Sequence, residues 1–203
     1  MSLGLVILLI VIFGYASNWL NWRYLNHRIV RLSYYVGTFV HESSHALLCL
    51  ATGARVVEFK VFSSEPHVVH GTPKLPLIGK PLISSAPIFG GLLFLFLVNH
   101  FLFKDAFALT DPLGLLAQIR PWEWQSWVMI LLFLNVGAML GPSIQDMKNV
   151  WPVLILLFFV SSPLLVGLGA VALNLIFVNI AIQLALIVLM KIISVVFYTS
   201  KSR

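Results

Sequence analysis

Residues 41–45 read His41-Glu42-Ser43-Ser44-His45, in the middle of an apolar segment that extends from about Ser33 to Ala51. On an α-helix, residues i and i+4 lie on one face, so His41 and His45 can bind one metal ion together. Glu42 lies about 100° around the helix from His41, where its carboxylate can flank the metal without binding it. Neutral imidazoles suit zinc, and a catalytic zinc site keeps one position open for water. The pattern therefore predicts a helix that carries a catalytic zinc site.

The composition places this helix in a membrane. Of the 203 residues, 60% are hydrophobic and 10% are charged, whereas soluble domains average roughly 45–50% apolar and 25% charged residues. The net charge of +6 comes from basic residues between apolar runs. Lipid head groups account for them there, so no nucleic-acid partner is expected. The single cysteine, Cys49, excludes an internal disulfide and a cysteine-based metal cluster.

Three ionisable residues within little more than one helical turn are costly in lipid. Each costs about 2.5–3.5 kcal/mol at the centre of a membrane helix. A shared metal ion with a neighbouring carboxylate offsets that cost, so a metal site is the favoured interpretation. The alternative is a buried polar network or a water-filled pore.

Apolar runs divide the chain into about six candidate membrane helices, because a membrane helix needs about 20 mostly apolar residues. The first four cover about Leu3–Leu20, Ser33–Ala51, Leu82–Phe103 and Trp124–Gly141. The run from Trp151 to Ser200 fits two further helices with a tight turn near Gly167–Asn174. Between the second and third helices, Val56–Phe62 and Val68–Val69 are typical of two strands, and a Pro-rich connector follows through Pro73, Pro76 and Pro81.

The predicted fold class is therefore an all-α polytopic membrane protein. It has about six transmembrane helices and a short membrane-associated β-hairpin between helices 2 and 3. Residues 1–203 are expected to form one membrane domain, with a catalytic core at 33–150 and flanking transmembrane helices at 1–32 and 151–203. With six crossings, the side that holds both termini and the hairpin carries eight of the 13 Lys and Arg residues. That bias favours this side as cytoplasmic.

Two histidines leave a third metal ligand to find. Most other acids and histidines lie in connectors or at helix ends, where a solvated role is the default. Asp146 differs because it follows Gly141-Pro142, a pair that breaks a helix. A broken helix end can aim a carboxylate into a protein-lined cavity. The alternative is that Asp146 is a solvated loop acid near Lys148.

Over about Ser33 to Val150, the chain resembles the site-2 protease family of intramembrane zinc metalloproteases, in a compact form without a PDZ or CBS domain. Three pieces occur in the family's order: residues 41–46 followed by Thr52-Gly53-Ala54-Arg55-Val56, then Ser85-Ala86-Pro87-Ile88-Phe89-Gly90-Gly91, then Gly141-Pro142-Ser143-Ile144-Gln145-Asp146. The second stands where the family has a Gly-Pro motif, and the third where it has a Pro-containing segment ending in Leu-Asp-Gly. The chain departs from the family at three positions: Ser44 replaces a usual Gly, Gly90 a usual Asn, and Met147 the Gly after the aspartate.

This resemblance implies that His41, His45 and Asp146 bind one Zn²⁺ per chain. It also implies that Glu42 acts as general base and general acid. The expected reaction is hydrolysis of peptide bonds in or near the transmembrane segments of membrane-protein substrates. The partners would be those protein or peptide substrates and the lipid bilayer.

An extended substrate is expected to pair with the edge of the hairpin by β-augmentation. Val57, Phe59 and Val61 are the candidate substrate-binding residues there, and Asn135 is a candidate for positioning the substrate with its amide. His67 and His70 would project to opposite faces of a strand, which makes them a poor ligand pair. Surface or gating roles are expected for both.

Three other functions remain open from the sequence. The chain could be an inactive membrane scaffold of the same fold that binds clients without cutting them. It could be a transporter or channel, with His41, Glu42, His45 and Asp146 along an ion path. It could also be a different membrane enzyme with the same motif, such as a prenyl-protein protease, although Pro87 and Gly141-Pro142 fit that class less well.

Overall fold

The structure, a computed structural model, describes residues 2–25, 28–63, 66–141, 143, 145–150, 159 and 162–201. Its helices and strands, in chain order, are α1 (Leu3–Leu20), a π-helical turn (Asn21–Leu25), α2 (Arg28–Ala51), β1 (Val56–Lys60), β2 (His67–His70), α3 (Pro76–Phe103), α4 (Pro112–Ala117), α5 (Trp124–Asn135), a 3-10 turn (Gly137–Met139), α6 (residues 145–150) and α7 (Pro163–Lys201). The all-α class with one small hairpin is confirmed.

Three of these helical segments are long and apolar enough to cross a membrane, namely Leu3–Leu25, Pro76–Phe103 and Pro163–Val195. The expected six crossings are not found among the described residues. Helix α5 has 12 residues, or about 18 Å at 1.5 Å per residue, whereas the hydrocarbon core is about 30 Å thick. Helix α2 is long enough with 24 residues, but it is less apolar than these three segments because it contains more polar residues.

The end of the chain differs from the expectation. The expected tight turn near Gly167–Asn174 was wrong, because α7 is one helix of 39 residues, about 58 Å long. A glycine inside a helix costs only about 1 kcal/mol relative to alanine, and backbone groups in lipid must keep their hydrogen bonds. A continuous helix therefore costs less than a turn at this point. Residues 151–158, 160 and 161, in the expected fifth helix, lie outside the described residues.

Helices α1 and α7 pack side by side and run parallel. A Cβ on Gly169 would meet the Val6 side chain, and farther along the Phe13 and Phe177 rings lie 4.5 Å apart between centroids. Beyond these, the Asn179 amide donates to the Ser17 hydroxyl at 2.6 Å. The start of α1 and the end of α7 thus lie at opposite ends of the bundle. This parallel packing differs from the six-crossing arrangement on which the Lys and Arg count is based, and the cytoplasmic side stays a prediction.

The hairpin forms where the sequence predicts it. Strands β1 and β2 are antiparallel, with Phe59 opposite Val68 and an irregularity between Val56 and Glu58. The expected Pro-rich connector is only partly present, because Pro76 begins α3 and Pro81 lies inside it. Proline is tolerated in the first turn of a helix, since the first amides have no helical partner there. Helix α3 therefore begins about one and a half turns earlier than expected.

Helix α2 lies against both α3 and the end of α5. Its contact with α5 is so close that a Cβ on Gly37 would lie 2.5 Å from the Asn135 carbonyl oxygen. Cys49, Ala54 and Ile83 form a small buried cluster between α2 and α3. The consequence is that the face of α2 with the two histidines is held between α3 and the segment that follows α5.

We predict that Gly37→Ala destabilises the protein by about 1–3 kcal/mol, because the added methyl overlaps backbone that side-chain motion cannot relieve. Gly167→Ala is the matched control, because a Cβ at this helical position meets nothing within 4 Å. It should leave the stability unchanged or raise it by up to about 1 kcal/mol. Thermal unfolding in detergent micelles measures both. Equal melting temperatures for the two variants would contradict the close packing of α2 on α5.

Candidate metal centre

Helix α2 brings its two histidines together on one face. The His41 and His45 rings lie 4.9 Å apart between centroids, and their Nε2 atoms are 3.2 Å apart. About nine-tenths of each side chain is buried. This is the arrangement that the i, i+4 spacing predicts.

Asp146 reaches the same place from a different helix. Its carboxylate accepts hydrogen bonds from the Ser143 amide at 2.9 Å and the Ser143 hydroxyl at 2.6 Å. In return, the Asp146 amide donates to the Ser143 hydroxyl oxygen at 3.2 Å. This is a reciprocal N-terminal cap, in which a serine and the acid three residues later satisfy each other's backbone amides. The cap fixes the direction of the Asp146 side chain at the start of α6.

The three side chains converge on one point. Asp146 Oδ2 lies 3.5 Å from His45 Nε2 and 3.9 Å from His41 Nε2. Ligands bound tetrahedrally to zinc at about 2.0–2.1 Å are roughly 3.3 Å from one another. The observed separations fit such a site with small adjustments. His41, His45 and Asp146 thus form a cluster that could bind a metal ion, and Asp146 is not a solvated loop acid.

Backbone carbonyls fix the orientation of both imidazoles. His41 Nδ1 lies 3.0 Å from the Met139 carbonyl oxygen, and His45 Nδ1 lies 2.8 Å from the Ile83 carbonyl oxygen. Because a carbonyl only accepts, each Nδ1 must carry the proton. The lone pairs of the neutral rings then lie on Nε2 and face the cluster. Metal-binding histidines are commonly oriented by such outer hydrogen bonds.

In this arrangement, three hydrogen-bond acceptor atoms face one another. Two imidazole lone pairs and a carboxylate oxygen lie within 4.8 Å of one another in a largely buried place. Electron-rich atoms this close repel one another unless a positive charge lies between them. A bound metal ion, or a proton that converts one imidazole to an imidazolium, would relieve this repulsion.

A cavity of about 1220 Å³ lies beside the cluster and contains Glu42 in its wall. Tyr34 and Thr38 of α2 line the same cavity. Together with His41 and His45 they repeat at spacings of three or four residues, which places them along one face of the helix. Tyr34 and Thr38 are not among the residues predicted from the sequence, although this spacing is the signal that indicates them.

The hairpin contributes to the cavity through β2 and the turn. His67, Val68 and His70 line it, so both hairpin histidines reach the cavity wall. His67 Nε2 also lies 3.5 Å from a Glu58 carboxylate oxygen. The pKa of Glu58 is lowered, first by the hydrogen bond from the Lys60 ammonium and then by that from His67.

The candidate substrate-binding residues lie elsewhere. Val57 and Phe59 are exposed, whereas Val61 and Asn135 are buried. None of the four is among the described residues that line the cavity. The Asn135 amide nitrogen donates to the Leu131 carbonyl one turn earlier in α5. The structure does not bring these four residues to the metal cluster.

Helices α2 and α3 approach closely where Ser44 faces Gly90. Ser44 is buried in α2 and faces Gly90 of α3, where a Cβ would overlap the serine hydroxyl. The hydroxyl donates back to the Val40 carbonyl of its own helix. Ser44 and Gly90 are thus a complementary pair in which the larger residue lies on α2 and the smaller one on α3.

Comparisons with protein-family models, with curated proteins and with solved structures found no match to this chain.

We predict that Ser143→Ala lowers the affinity for zinc about tenfold, because the Asp146 carboxylate loses a hydrogen bond that orients it. The same change removes a helix cap, which costs about 1 kcal/mol of stability. Ser162→Ala is the matched control, since the Ser162 hydroxyl accepts a hydrogen bond from the Leu165 amide at the start of α7 and lies away from the cluster. Zinc competition with a chromophoric chelator should separate them. Equal affinities would mean that the Ser143 hydroxyl does not orient the ligand.

Proposed function

We propose that this chain is an intramembrane zinc metalloprotease that hydrolyses peptide bonds in or near transmembrane segments of membrane-protein substrates. The observation that carries the proposal is the convergence of His41, His45 and Asp146 within 4.8 Å, beside a cavity whose wall contains Glu42. Hydrolysis by a metal site needs ligands, an open position and a base, and these residues provide candidates for each.

The donor set favours zinc. Two imidazole nitrogens and one carboxylate oxygen are a common catalytic zinc set, which leaves the fourth position for water or substrate. Carboxylate-rich sites made only of oxygen would instead favour magnesium or calcium. When bound, zinc would polarise a carbonyl and lower the pKa of water to about 7.

Glu42 is the candidate general base and acid. It follows His41 directly on α2, so its carboxylate lies around the helix from the ligand face but still in the cavity wall. From that position it can take a proton from water and return it to the departing amine nitrogen.

The hairpin is the candidate for substrate binding. In the described chain, β1 and β2 form a two-stranded sheet, so each strand has an edge without a partner strand. Because β2 lines the cavity, we propose that the substrate pairs along His67–His70, rather than along Val57 and Phe59. Pairing would hold the substrate extended, which exposes carbonyls that a helix keeps hydrogen-bonded.

The membrane supplies the setting for this chemistry. Three helical segments are long and apolar enough to cross it, and one of them, α3, contacts His45 through the Ile83 carbonyl. Exposed aromatic residues such as Trp122, Trp124 and Trp127 suit the membrane surface. A substrate that is itself a membrane helix would approach within the bilayer and unwind before it is cut.

Glu42→Gln tests the proposal. Glutamine keeps the size of the side chain but cannot accept the proton, so turnover should fall by at least about a hundredfold, while zinc binding is retained. Purified wild type and variant in detergent or liposomes are compared on a reporter transmembrane peptide.

Glu123→Gln is the control, because Glu123 pairs with Arg120 at 3.1 Å at the other end of α5 from Met139. It should cut the peptide at the wild-type rate. Equal turnover by the Glu42→Gln variant would show that this residue is not the base. No cleavage by the zinc-loaded wild type would favour an inactive scaffold.

A further inference from the structure

Pro87 of α3 lies four residues after Ile83, whose carbonyl is hydrogen-bonded to His45. In a regular α-helix, the amide of residue 87 would donate to the carbonyl of residue 83. Pro87 has no N–H, and a proline ring inside a helix crowds the carbonyl four residues earlier. The Ile83 carbonyl has therefore lost its helical donor. It accepts His45 Nδ1 at 2.8 Å instead.

The position is buried and close to the site. Ile83 has 2% of its surface exposed, and Ser84 is equally buried. The Ser84 hydroxyl accepts a hydrogen bond from the Asn149 amide at 3.1 Å. Asn149 lies three residues after Asp146 on α6. One turn of α3 thus makes two contacts with the site. Its Ile83 carbonyl binds His45 of α2, and its Ser84 hydroxyl binds Asn149 of α6, the helix that carries Asp146.

A second proline in the same helix has no such role. Pro81 also lies inside α3. Because it has no N–H, the Leu77 carbonyl lacks its usual helical donor. Leu77 is 84% exposed and lies in the first turn of α3. The two prolines share the same chemistry and differ in the burial of the residue whose carbonyl loses its helical donor.

We propose that Pro87 is a positioning residue for the metal centre. By withholding a helical hydrogen bond from the Ile83 carbonyl, it reserves that oxygen for His45 and fixes the proton on Nδ1. His45 Nε2 then presents its lone pair to the metal. The inference rests on the proposed function only in requiring that the cluster binds zinc.

The test compares zinc affinities of wild type, Pro87→Ala and Pro81→Ala, measured by chelator competition in detergent. Alanine restores the amide at position 87, so the Ile83 carbonyl is drawn back into the helical ladder. Removing such an outer hydrogen bond typically weakens metal binding ten- to a hundredfold. We expect a loss of about tenfold or more for Pro87→Ala and wild-type affinity for Pro81→Ala.

A double-mutant cycle with His45→Ala separates positioning from general structure. If Pro87 acts through His45, Pro87→Ala should have no further effect on zinc affinity in the His45→Ala background. An equal loss in both backgrounds would overturn the inference. Alanine is the better helix former, so a Pro87→Ala chain that fails to fold would also contradict a role confined to the site.

The outcomes also separate this inference from the proposed function. If wild type binds zinc and Pro87→Ala binds it within twofold of wild type, the positioning role is wrong and the metalloprotease proposal stands. If wild type binds no zinc, the proposed function fails, and the inference fails with it.

Discussion

The structure depends on the convergence of three electron-rich atoms whose side chains are largely buried. His41 Nε2, His45 Nε2 and Asp146 Oδ2 lie 3.2–3.9 Å from one another. The outer nitrogen of each imidazole is committed to a backbone carbonyl, so no proton of the neutral rings lies between them. A cation at the centre converts this mutual repulsion into attraction. The rest of the fold can be understood as the scaffold that holds these atoms together.

That scaffold uses breaks in regular structure. The chain leaves the helical path after α5, and the Ser143 amide turns to the Asp146 carboxylate instead of the Met139 carbonyl four residues earlier. The Met139 carbonyl accepts His41. In α3, Pro87 leaves the Ile83 carbonyl for His45. Each histidine is thus held by a carbonyl whose usual helical donor is missing or diverted. The irregular turn after α5 both frees the Met139 carbonyl and orients Asp146, the third candidate ligand.

Sequence periodicity was sufficient for the parts of the site that are local. The spacing of His41 and His45 determines that they share a face, and the break at Gly141-Pro142 pointed to Asp146. Long-range packing decided what the sequence could not show. Phe59 is a good strand former, but whether β1 or β2 borders the cavity depends on how the hairpin packs against α2. The expected turn near Gly167–Asn174 failed because glycine is a weak breaker in a long apolar helix. The carbonyls of Met139 and Ile83 could not be found from side-chain identity, since any residue has one.

We propose that Asp146 completes a zinc site with the two histidines. Elemental analysis of protein purified with zinc and then desalted tests it most directly, on wild type, Asp146→Ala and Asp111→Ala. Asp111 is the control because its carboxylate also caps a helix, accepting from the Leu113 amide, but lies outside the cluster. We expect one zinc per chain for wild type and Asp111→Ala, and well below one for Asp146→Ala. A wild type without zinc, or an Asp146→Ala variant that retains a full equivalent, would contradict it.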